Sequence, residues 1–129
     1  MKRDMDLIRE LLLRIETQHI PVGSMLLLGF DRPPLMADGE NIDEIAYAMR
    51  MIEDAEFLDL TPTQPAIGVC LRGLTWGGHE FLDSIRNPQI WNETKEVASK
   101  AGGFTVSLLA DLAKGLIKTQ IKKYTGVDL

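Results

Sequence analysis

The chain has 129 residues, 45% of them apolar and 26% charged, with one cysteine and a formal net charge of −5. That length amounts to one domain with a core large enough to fold without metal or bridge, and a single cysteine excludes an internal disulfide. Residues 1–60 hold 6 Lys and Arg against 13 Asp and Glu, and residues 61–129 hold 8 against 6, so a basic footprint for nucleic acid belongs to the second half.

The opening MKRDMDLIRE places Asp4 and Asp6 where a signal peptide needs an unbroken apolar run. No stretch approaches the ~18 apolar residues of a membrane span. A cytoplasmic protein with no membrane partner is the expectation. The first helix follows at once. Asp4 caps it, Asp6 suits the positive end of the dipole, and Met5, Ile8, Leu12 and Ile15, with Leu11 beside them, form its apolar stripe. Arg9, Glu10, Arg14 and Glu16 are expected on its wet side. The helix stops before His19-Ile20-Pro21.

The run SMLLLGF, Ser24 to Phe30, is short, apolar and bounded by Gly23 and Asp31-Arg32-Pro33-Pro34, which predicts a buried strand. Residues 32–40 read as loop. Asn41 and Glu44 have the spacing of a capping box and open a second helix. Its inward stripe is Ile42, Ile45, Met49 and Ile52, widened by Ala46, Ala48 and Ala55. Asp43, Glu44, Tyr47, Arg50, Met51 and Asp54 face the other way. Residues 57–60 and 66–74, joined by the turn residues Thr61 to Pro65, predict a β-hairpin in which Ile67, Val69 and Leu71 alternate with Gly68, Cys70 and Arg72.

Thr75 caps the next helix, whose inward residues are Phe81, Leu82 and Ile85; Gly77 and Gly78 fall in its first turn, where close packing can require them. Asn87 and Pro88 start another, carrying Ile90, Trp91, Val97, Ala98 and Ala101 up to Gly102-Gly103. A last helix runs from about Val106 to Tyr124, with Gly126 as terminator.

The order predicts an α+β, mainly α fold. Residues 1–87 form a winged helix-turn-helix-like core, made of a helix, a short strand, a helix, a β-hairpin wing and a helix. Residues 88–129 add two C-terminal helices packed on it. The segments MKRDMDLIRELLLRIE, IAYAMRMIEDAEFL, LTWGGHEFLDSIRNPQIW and GGFTVSLLADLAKGLIK resemble a domain-of-unknown-function family of small bacterial and prophage proteins. The resemblance covers nearly the whole chain. It implies a winged-helix-like fold and carries no activity. IAYAMRMIEDAEFLDL, the hairpin and LTWGGHEFLD are also similar to small winged-helix transcriptional regulators. Here Glu56 stands where those proteins place a glycine, and residues 31–40 show no first helix of a helix-turn-helix.

His79 and Glu80 do not make a zinc-protease motif, because position 83 is Asp. Two His and one Cys are too few for a structural zinc site. Cys70 has no basic neighbour nearer than Arg72 to activate it. The glycine pairs match neither a P-loop nor a dinucleotide fingerprint. No catalytic, cofactor-binding or metal-binding residue is therefore assigned. Trp76, Trp91 and Phe81 are expected in the core.

Two macromolecule-binding faces remain. Tyr47, Arg50 and Met51 are of types enriched at interfaces. Lys114, Lys118 and Lys122, with Lys123 beside them, make a basic stripe on the last helix that suits phosphates or a helix C-terminus. Two functional expectations follow. One is a regulator-like DNA-binding protein. The other is a protein-interaction module, in one form a homodimer through the last helix, whose stripe from Val106 to Ile121 is wide. The acidic second helix argues against reading DNA with it.

Overall fold

The computed structural model describes residues 1–103 and 105–129. Five helices and three strands occur among the described residues: α1 Met5–Glu16, β1 Leu26–Gly29, α2 Ile42–Asp54, β2 Leu58–Leu60, β3 Gly68–Leu74, α3 Trp76–Ile85, α4 Pro88–Ala101 and α5 Val106–Thr125. The class is α+β, mainly helical. Two compact units divide the chain, Met1–His79 and Glu80–Leu129.

In the first unit, α1 begins where the Asp4 carboxylate accepts the Leu7 N–H at 3.1 Å. Met5, Ile8, Leu11, Leu12 and Ile15 are buried, and α1 packs on α2 and β3. Asn41 caps α2 by accepting the N–H groups of Asp43 and Glu44. Ile45, Ala48, Met49 and Ile52 are buried beneath it, while Ile42 lies at the rim.

The sheet is antiparallel, in the order β1-β3-β2. Leu28 and Val69 are paired and point inward, as does Leu71. The expected hairpin of 57–60 and 66–74 is present as β2 and β3. Its turn is closed by a side chain. The Gln64 amide donates to the Cys70 carbonyl at 2.7 Å, and its oxygen accepts the Cys70 N–H at 2.8 Å. Gln64 thus pairs with β3 as a strand residue's backbone would.

Three expectations are corrected. The 24–30 run is not a buried strand: β1 is an edge strand, and Leu27 stays 65% exposed. Alternation turns every second residue outward, and a uniformly apolar run conceals that. The wet side assigned to α1 is only partly wet. Arg9 is buried, and Arg14 is half-buried because it holds the 30–41 loop. Its guanidinium donates to both Glu40 carboxylate oxygens, at 2.7 and 2.9 Å, and to the Leu35 carbonyl at 2.9 Å. The fully buried Leu35 brings its backbone to α1, and Arg14 satisfies it. Hydrogen bonding to Arg14 keeps the Glu40 carboxyl below the usual carboxylate range. Trp76, expected in the core, is 81% exposed, whereas Trp91 and Phe81 are buried.

Thr75 caps α3 as expected, accepting the Gly78 N–H at 3.1 Å. Its hydroxyl donates to the Glu56 carbonyl at 2.7 Å, and its N–H to the Phe57 carbonyl at 2.9 Å. The start of α3 is therefore tied to the end of α2. Gly78 lies against that crossing: a Cβ there would collide with the Phe57 carbonyl oxygen.

In the second unit, Asn87 accepts the N–H groups of Gln89 and Ile90, and Pro88 opens α4. Ile90, Trp91, Thr94 and Ala98 are buried, and Lys95 lies over the Trp91 ring, 5.6 Å from its centre. Gly102, with φ +79°, ends α4 through bonds to the Ser99 and Ala98 carbonyls made by Gly102 and Gly103. Thr105 caps α5, and the two helices pack as a hairpin with Leu109 and Ala113 buried.

Candidate functional site

α2 ends in a Schellman arrangement: Glu56 N–H donates to the Glu53 carbonyl at 2.9 Å, and Phe57 N–H reaches back to Ile52 at 3.3 Å. The motif needs a left-handed residue, and Glu56 supplies it with φ +61°. This is the position at which the sequence departs from the glycine of winged-helix regulators. The strain, about 1–2 kcal/mol for a non-glycine residue, lets the chain turn from α2 into β2.

The outer face of α2 places Tyr47 next to Arg50 at i+3 and next to Met51 at i+4. Arg50 and Met51 themselves diverge by about 100° around the axis. The three make a band rather than a cluster. Half-buried Tyr47 opens on a cleft of about 300 Å³ bordered by Asp4 and Leu7. Exposed Arg50 stands at a different cleft, of about 290 Å³, with Phe30, Glu53, Gln64 and Pro65. Burial pushes the Glu53 carboxyl up, and Arg50 only partly offsets this.

Electrostatics decide what this face can meet. Asp43, Glu44, Asp54, Glu56 and Asp59 are all exposed on α2 or just beyond it, against the single guanidinium of Arg50. The turn from Thr61 to Pro65 has no Lys or Arg. Arg72 on β3 donates to the Leu60 carbonyl at 3.0 Å and lies 3.5 Å from Asp59. A groove-reading helix brings donors to base edges and cations to phosphates; this one brings carboxylates.

The outward position of Trp76 is marked by the helical period. At 100° per residue it lies opposite Phe81, Leu82 and Ile85, beside exposed Glu80 and Asp83. His79 is exposed, its N–H bonded to the Thr75 carbonyl. Among the described residues no three of His, Cys, Asp and Glu gather closely enough to hold a metal ion.

The lysines lie in the second unit. Lys114, Lys118, Lys122 and Lys123 are exposed on α5. Lys122 is 3.7 Å from Asp128, with both side chains largely in solvent; such a pair contributes little. Beside the row, Ile117 and Ile121 are half-buried.

Fold and surface define a small α+β protein, mainly helical, with an acidic α2 face in one unit and a lysine row in the other. Residues 2–105 match the family described as hypothetical protein (DUF2513), and the chain belongs to that family. It is 32% identical over 125 residues to a Haemophilus influenzae protein described as an uncharacterized protein, covering 94% of this chain and 99% of that relative. No solved structure matches the chain. Among the described residues no helix is long and apolar enough to cross a membrane.

Proposed function

We propose that the protein is a non-catalytic binding module of the cytoplasm, built on a winged-helix-like first unit, and that its partner is a protein. The winged-helix reading is supported by the order helix, strand, helix, hairpin and by the sheet order β1-β3-β2. The 30–41 loop, pinned by Arg14 to Glu40 and Leu35, takes the place of the first helix of a helix-turn-helix.

The observation that carries the choice of partner is the charge of α2. Asp43, Glu44 and Asp54 are exposed on α2, whose one basic residue is Arg50, and exposed Glu56 and Asp59 follow it, where a DNA reader needs cations. A second reading, DNA backbone binding through α5, is favoured by Lys114, Lys118 and Lys122. A homodimer through α5 is a form of the first reading, and light scattering on the purified chain decides it.

The test is titration of a labelled duplex DNA at about 20 mM salt, where phosphate contacts are strongest. The protein-binding reading expects no saturation. Tight, steeply salt-dependent binding, lost when Lys114, Lys118 and Lys122 become Glu, transfers the function to DNA.

A further inference from the structure

The start of α4 and the end of α5 come together in the second unit. Between them lies a cleft of about 470 Å³, lined by Ile90, Ile117, Ile121 and Tyr124, with Asn87 and Gln120 as polar edges. Ile117 and Ile121 are only half-buried, and Tyr124 is 78% exposed. This is apolar surface that the hairpin leaves open.

The lysine row runs alongside it. Lys114 precedes Ile117 by three residues and Lys118 precedes Ile121 by three, so each cation neighbours an apolar side chain on the helix surface. At 1.5 Å per residue the row of Lys114, Lys118 and Lys122 repeats every ~6 Å over ~12 Å. α5 carries four lysines and one aspartate. A row of cations that begins beside an open apolar cleft, at Lys114 and Lys118, and winds about 80° round the helix to Lys122 has a specific complement: a helix with an apolar stripe and carboxylates one turn apart along its flank.

We propose that the α4–α5 face is a docking groove for an acidic amphipathic helix of another protein. Its apolar residues, at i, i+3 or i+4 and i+7, fill the cleft over Ile117, Ile121 and Tyr124. Its Glu or Asp row meets Lys114, Lys118 and Lys122. The inference rests on the protein-binding reading and names the surface and the partner chemistry. A second copy of the chain fits poorly, because two such faces would lay like-charged rows against each other. DNA satisfies the lysines but brings no apolar stripe to the cleft.

The probe is a labelled synthetic peptide of about 18 residues, long enough for five helical turns, with leucine at every third or fourth position and glutamate along one flank. A control peptide keeps the leucines and replaces glutamate by lysine. Anisotropy titrations with the full chain should show the acidic peptide binding at least about tenfold tighter than the basic one, a difference of about 1.4 kcal/mol. Changing Lys114, Lys118 and Lys122 to Glu should reverse the preference. Tyr124→Ala and Ile121→Gln should each weaken binding by about threefold or more, the loss expected for apolar anchors in a groove. These side chains are exposed or half-exposed, so thermal melts of the variants should match the parent.

Equal binding of both peptides, or no saturation by the acidic peptide, overturns the proposal. So does binding of duplex DNA that needs the lysines but ignores Tyr124 and Ile121. Photo-crosslinkers placed separately at Arg50 and at Ile121 distinguish the two failures. Protein adducts from Arg50 with none from Ile121 leave the protein-binding reading standing and remove this groove. Protein adducts from neither position remove both.

Discussion

Gly77 and Gly78 are adjacent, identical and in the same helical turn, yet they should respond oppositely to an added methyl group. A Cβ at Gly78 would meet the Phe57 carbonyl oxygen well inside contact distance, with the Phe57 Cα and carbonyl carbon each at 3.2 Å. All three are backbone atoms. They cannot step aside, because the Phe57 carbonyl accepts the Thr75 N–H at 2.9 Å and Glu56 accepts the Thr75 hydroxyl at 2.7 Å. Accommodating alanine means moving α3 off the end of α2. That costs about 1–3 kcal/mol for overpacking, and about 1 kcal/mol more for each of the two hydrogen bonds it stretches. We expect Gly78→Ala to destabilise the fold by about 3–5 kcal/mol. At Gly77 a Cβ meets only the Thr75 hydroxyl, at 3.8 Å. There alanine restricts the unfolded chain and favours the helix, for a gain of about 0.4–1 kcal/mol. Urea unfolding followed by far-ultraviolet circular dichroism reads both. A Gly78→Ala midpoint within error of the parent, or equal losses at the two positions, would refute the close crossing of α3 over Phe57.

Glu56→Gly should stabilise by roughly 0.5–1 kcal/mol, the left-handed strain relieved less the entropy glycine adds to the unfolded chain; a loss in the same urea assay would mean the Schellman turn is not strained. Arg14→Met should cost about 1–3 kcal/mol at neutral pH, since it removes a half-buried bidentate pair and leaves the Leu35 carbonyl without its donor. The pH dependence has a definite sign. Arg14 lowers the Glu40 carboxyl in the folded state, so this contribution is present above the unfolded carboxylate value, about pH 4, and is lost as pH falls through the lower folded value. The gap between parent and variant should narrow in acid, and a constant gap from pH 7 to pH 2 would contradict the assignment. Glu53 has the opposite sign: burial raises its carboxyl, so its charged form opposes folding once pH exceeds the unfolded value. Glu53→Gln should raise the thermal midpoint at pH 7 and leave it unchanged near pH 3; a rise at both would locate the effect elsewhere.

What could be read in the sequence was local. The caps Asp4, Asn41, Thr75 and Asn87 and the stripes of α1 and α2 involve residues within about four positions of each other. The hairpin was legible because Val69 and Leu71 alternate with Cys70 and Arg72, although Ile67, expected on the inward side with them, lies just before β3 and is 63% exposed. The corrections involve partners far apart in the chain. Arg14 meets Glu40 across 26 residues, and nothing within α1 marks that arginine as different from a solvated one. The edge position of β1 depends on which strands β3 pairs with, and four apolar residues in a row look alike whether one face is covered or two. Trp76 is a different case. Its outward position follows from the spacing to Phe81, Leu82 and Ile85, and here the helical period outweighs the general tendency of tryptophan toward the core. The lysine row was visible as a repeat of four, whereas the cleft beside it required α4 to be laid against α5.

The central claim is that this chain binds protein rather than nucleic acid. A photoreactive residue introduced at Lys118, in the chain expressed in its own host and irradiated there, tests it directly. The claim predicts discrete adducts that survive nuclease and disappear with protease treatment of the partner. Adducts that carry nucleotide and collapse to the mass of the chain after nuclease digestion would contradict it.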